Sequence, residues 1–176
     1  SHVHVAGITS QDIGAGHAWE NYLAPLRAGK LSYWSCGVNT DWAARKKLDK
    51  GFRNFSSVTE LSHALAKLLS DNRQSTYLSI DKDVFAPDVV RTNWDQGQMR
   101  EEDSTAIIDA LQGQIVGSDI AGDVSSWRYA TWWKRWLSAS DGQDTEINAH
   151  ELAASQVGQH AINERLVERI ARCHMV

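Results

Sequence analysis

A mixed α/β domain with a mainly parallel sheet is what the 176 residues predict. Short apolar runs bounded by glycine recur along the chain, and amphipathic helical stretches fall between them. Their spacing suits strand–helix–strand crossovers rather than hairpins, and parallel strands joined that way form a sheet covered on both faces.

The elements follow in order. His2-Val3-His4-Val5-Ala6-Gly7-Ile8 alternates and then runs apolar, as a strand does. A Gly-, Ser- and Asp-rich loop spans 9–16, and a short helix is expected from Trp19 to Leu26. Leu31-Ser32-Tyr33-Trp34-Ser35-Cys36, between Gly29 and Gly37, reads as a second strand, and Asp41 to Leu48 as a short helix. Ser57-Val58-Thr59-Glu60 has the form of a capping box, with Leu61, Leu65, Leu68 and Leu69 on one face behind it. Tyr77-Leu78-Ser79-Ile80 is the third strand, ending in Asp81-Lys82-Asp83. An amphipathic helix from Glu101 to Leu111 precedes the fourth strand, Gln114 to Ile120. A long helix is expected from about Thr145 to Cys173, with Leu152, Val157, Ile162, Leu166, Val167 and Ile170 inward. Between them, 124–144 reads as either helix or ordered loop. One domain over 1–176 accounts for the whole pattern.

Composition narrows the classes of function. Eighteen Lys and Arg against 22 Asp and Glu leave a net charge of −4, which argues against nucleic acid as a partner. No apolar run is long enough to span a membrane. Cys36 and Cys173, two and far apart, fit free thiols in a reducing, cytoplasmic setting. Eight tryptophans read first as core and interface packing and second as an aromatic-walled pocket for a small-molecule substrate.

The chemistry concentrates at two strand ends. In parallel sheets, ligands bind beyond the carboxyl ends of the strands. Asp81 and Asp83 close one strand, and Asp119 and Asp123 the next. Residues i and i+2 of an extended segment share a face, so Asp81 and Asp83 are expected to point into one crevice. Their mutual repulsion would be relieved by a divalent cation with a taste for oxygen ligands. The rival role for Lys82 is to neutralise both carboxylates without metal. His17, in the loop after the first strand, is a candidate acid/base group. Asn93 and Asp95, with Trp94 between them, are candidates for orienting a substrate. His2 and His4 on one strand face are able to bind metal but read more simply as an exposed edge, and His63, His150 and His160 as helix surface. The Arg45-Lys46-Lys47 run is a solvated helix face.

Ser79-Ile80-Asp81-Lys82-Asp83, then Pro87 and Gly97, resembles the signature of the ureohydrolases within the arginase/deacetylase superfamily. Gln98-Met99-Arg100-Glu101-Glu102 is similar to the start of the family's next helix, and Ile115-Val116-Gly117-Ser118-Asp119-Ile120 to its next strand. The resemblance covers roughly residues 3 to 123. It implies a three-layer α/β/α fold, a metal-dependent hydrolase of a non-peptide C–N bond, and two metals, Mn²⁺ first and Zn²⁺ or Mg²⁺ as alternatives. It further implies that Asp81 bridges the metals, that Asp83 ligates one, and that a hydroxide between them attacks an sp² carbon. Asp119 or Asp123 would orient water or hold a cationic substrate group. Gly122 stands where the family has a guanidinium-binding Glu, which points away from arginine and agmatine. The family's Asp-x-His-x-Asp ligands have no counterpart, and Asn148-Ala149-His150-Glu151 only echoes them. The chain is therefore expected to be the carboxyl-terminal half of a larger fold, completed by an amino-terminal half or another subunit.

Two readings compete. An apolar strand ending in Asp-x-Asp also suits a haloacid-dehalogenase-type phosphatase, with Asp81 as nucleophile and Asp83 as acid/base. A non-catalytic arginase-like binding scaffold suits Lys82 and Gly122.

Overall fold

The structure is a computed structural model that describes residues 1–9, 20–38, 41–45, 47–94, 96–124, 129–140 and 147–174. Strands and helices alternate along it: β1 (Val3–Thr9), α1 (Glu20–Arg27), β2 (Leu31–Cys36), α2 (Asp41–Arg45), β3 (Phe52–Phe55), α3 (Val58–Asp71), β4 (Thr76–Asp81), α4 (Glu101–Ala110), β5 (Ile115–Ala121), α5 (Trp132–Ser140) and α6 (Ala149–Cys173). Every strand pairing among the described residues is parallel, as crossover connections require. No helix among them is long and apolar enough to cross a membrane.

The expected single sheet divides in two, β1-β2-β3 and β4-β5. Gly7 lies where β1 meets the segment after β4. The β1–β2 register shifts between Ala6 and Ile8, and Gly7 adopts a φ of +87°. A Cβ there would fall 2.1 Å from Val84 Cγ2, so the end of β1 abuts the turn after β4 through van der Waals contact. Below that contact a cleft of about 980 Å³ opens between β1 and β4, floored by α3 and α4.

Burial also departs from the two-sided cover expected of a parallel sheet. β2 is buried along its whole length, and Trp34 is fully enclosed, stacked on Phe55 and donating its Nε1–H to His4 Nδ1 at 3.1 Å. In the smaller sheet, Leu78, Ile80, Ile115 and Ile120 join the core with α4 and α6. The other face, carrying Tyr77, Ser79, Asp81 and Asp119, is bare, and Tyr77 is 63% exposed.

Local signals explain the helices. Ser57 caps α3 by accepting from the Glu60 N–H at 3.2 Å, while the Glu60 carboxylate returns to Ser56 rather than to Ser57. Asn148 accepts from the N–H groups of His150 and Glu151 at 3.0 and 2.9 Å, so the segment that echoes a metal motif is the start of a helix. On α6, Gln159, Ile162, Leu166, Ile170 and Cys173 form the buried stripe in steps of three and four. Val157 and Val167, expected inward, lie off that stripe and are exposed.

Candidate metal centre

Asp81 is the last residue of β4, and the chain then tightens into a 3₁₀ turn over Lys82–Val84. Asp81 Oδ1 accepts the N–H of Asp83 at 3.2 Å and so caps that turn. The extended alternation expected to align the two carboxylates is thus replaced by a turn that brings Asp83 back toward Asp81, close enough for their charges to interact. Gly122, with φ of +84°, lies against this corner. A Cβ on it would sit 2.6 Å from Asp81 Oδ1 and 2.9 Å from the Lys82 nitrogen.

Asp83 is half-buried. Burial pushes its carboxyl above the ordinary carboxylate range; a hydrogen bond with Thr92 opposes the shift, the Asp81 charge adds to it, and Lys82 opposes it. Its Oδ1 is shielded from solvent and has no hydrogen-bond partner among the described residues. The loop that follows is braced by Gln96, whose Nε2 donates to the carbonyls of Phe85 and Val90 at 3.1 and 2.7 Å and whose Oε1 accepts from Thr92 N at 3.2 Å. On this loop Asn93 is buried and Trp94 is 40% exposed. Asp95 and His17 lie outside the described residues.

Lys82 makes its ion pair away from its two neighbours, although its charge still favours the ionised form of Asp83. Its side chain is fully buried, and its Nζ pairs with the Asp123 carboxylate and donates to Asn163 Oδ1 at 3.0 Å. Asp123, whose side chain remains 62% exposed, is thereby tied to β4 and, through Asn163 Nδ2 at 3.5 Å, to α6. Asp119 is not at a strand end. It lies within β5 opposite Ser79, whose hydroxyl donates to Oδ2 at 2.9 Å, and its hydrogen bond with the Tyr77 phenol raises the Tyr77 pKa.

Of the sequence candidates, Asp81 and Asp83 come together, Asn93 and Trp94 follow Thr92 in the next loop, and Asp119 and Asp123 are held in separate polar contacts. A divalent ion fits this corner in one respect: a buried, unpartnered carboxylate oxygen is a ligand in search of a cation. The donor set is incomplete, since no three His, Cys, Asp or Glu side chains converge as metal ligands among the described residues. Thr92, Gln96, Gly122 and Asn163 were not evident from sequence as parts of the corner. Only Gly122, a glycine just past a strand, carried any signal; Thr92 and Gln96 act through contacts within an irregular loop, and Asn163 reaches Lys82 from 81 residues away. Comparison of the chain with protein-family models, curated proteins and solved structures finds no match.

Proposed function

We propose that Asp81 and Asp83 supply two carboxylate ligands to a divalent-metal centre, Mn²⁺ first, in a hydrolase acting on a non-peptide C–N bond of an amidino or acyl-amide substrate. The observation that carries this reading is the unpartnered Asp83 Oδ1, buried beside Asp81 at the carboxyl end of a parallel strand. Leaving such an oxygen unsatisfied costs about 1–3 kcal/mol, which a cation would recover. A bound ion there would acidify a water molecule and polarise the substrate.

The chain's own groups have defined parts. Thr92 holds Asp83 from one side, and the Asp81 cap fixes the turn between the two carboxylates. Asn93 and Trp94 are the candidates to orient the substrate, and a partner subunit would supply the remaining ligands. The bare face of β4–β5 supports a three-layer arginase/deacetylase-like arrangement, because parallel sheets are ordinarily covered on both sides.

Metal analysis after equilibration with Mn²⁺ tests the reading. Bound Mn²⁺ in the wild type that is lost in Asp81→Asn supports it; equal metal content in the two overturns it. The closed Lys82–Asp123 pair favours a second reading, a non-catalytic scaffold whose strand ends are held without metal, and a wild type that binds no Mn²⁺ selects that one.

A further inference from the structure

We propose that Lys82 is a positioning residue for the Asp81–Asp83 pair, setting the spacing of the two carboxylates from behind the strand; this rests on the metal-centre reading above. One buried ammonium joins three elements: the turn after β4 that bears it, the segment after β5 through Asp123, and α6 through Asn163. Asn163 also reaches Asp123, so the three side chains close a triangle. Gly122 seals the corner, since an added Cβ would lie 2.9 Å from the Lys82 nitrogen and 3.2 Å from its Cβ.

Lys82 is the residue between the two carboxylates, and its side chain is the fully buried one of the three. Asp81 and Asp83 are joined to it by one peptide bond each, so their backbone cannot shift without moving a side chain that is anchored at its far end. The carboxylates themselves are held lightly in front, by the Asp83 N–H and by Thr92. The rigid part of the corner is therefore the lysine, and the ligands hang from it.

Charge and position make opposite predictions. An ammonium beside two carboxylates repels a divalent cation, so a lysine acting by charge alone would weaken metal binding, and its removal would tighten it. A lysine that fixes geometry would have the reverse effect. The variant Lys82→Met/Asp123→Asn removes one positive and one negative charge and leaves the net charge of the corner unchanged.

Mn²⁺ binding is followed by the loss of the free-ion electron paramagnetic resonance signal, in the wild type, Asp81→Asn, the double variant and Asn163→Ala. The double variant is expected to bind Mn²⁺ about tenfold more weakly or worse, as for other groups that orient metal ligands. Asn163→Ala, which leaves the ion pair in place, is expected to show a smaller loss and covers the case in which the double variant does not fold. Wild-type affinity in both, alongside loss of binding in Asp81→Asn, overturns the role of Lys82 and leaves the metal centre standing. Indistinguishable binding by the wild type and Asp81→Asn overturns the metal centre, and the role of Lys82 with it.

Discussion

Gly122 and Asp81 are in such close approach that a single methyl group on the glycine would stand 2.6 Å from the carboxylate oxygen. That contact couples the ends of β4 and β5 and leaves no room for a side chain at residue 122. Gly122→Ala has both the clash and a φ of +84° against it. A loss of about 1–3 kcal/mol in urea denaturation is expected, together with weaker Mn²⁺ binding as Asp81 is displaced.

The Lys82–Asp123 pair is asymmetric, with one partner fully buried and the other 62% exposed. Truncating Asp123 to Ala strands a buried ammonium with only Asn163 for company, and a cost of about 3 kcal/mol or more is expected. Lys82→Met leaves a carboxylate that water can solvate, so its cost should be distinctly smaller. Denaturation of the two single variants side by side checks the ordering; equal losses would show that the burial of Lys82 is not what makes the pair matter.

Asp83 gives the metal-free protein a pH dependence of defined sign. Its folded pKa is raised by burial above the ordinary 3.8, so the folded state holds this proton more tightly than the unfolded chain. Its contribution is therefore most favourable at acid pH and falls as pH rises from the unfolded value through the folded one. Asp83→Asn should flatten that part of the stability profile and raise Tm at neutral pH in the absence of metal. A Tm that drops at pH 7 would contradict it.

The tryptophans whose burial is described include one buried and several exposed. Trp34 is fully buried, whereas Trp132, Trp133 and Trp136 on α5 are 72%, 47% and 67% exposed. Trp34→Ala is expected to cost about 3–5 kcal/mol, and Trp132→Ala or Trp136→Ala about 0.5 kcal/mol or less. Acrylamide quenching should remain strong in Trp34→Phe and diminish when the α5 tryptophans are removed.

Much of the architecture was legible because it is written in local periodicity. Leu31–Cys36 was read to the residue, and the starts of α4 and β5 to within one, since glycine and an acidic first turn mark them. Phe52–Phe55 was missed, because Arg53 and Asn54 in the middle of a four-residue strand hide its two aromatic ends. The break between β1 and β4 was also hidden: where the two approach, Gly7 has a positive φ and meets a valine 77 positions later in the chain, a contact with no local signal. At the candidate site the sequence supplied the two carboxylates but did not show where the lysine between them finds its ion-pair partner. Chain proximity suggested that Lys82 pairs with its neighbours, yet its length carries the charge to Asp123, 41 residues away. Contacts of that range have no periodicity to betray them, and the same holds for Asn163, 81 residues from Lys82.

The gap between β1 and β4 has a consequence for how the molecule breathes. Among the described residues no hydrogen-bond ladder joins the two sheets, and α3, which packs on both β2 and α4, links them. Amide exchange under native conditions should then resolve two cooperative units rather than one. The unit formed by β4, α4 and β5 bears the Asp81–Asp83 corner and is closed at its far side by α6. Its opening energy, and not that of the whole chain, would set how long the corner keeps its shape.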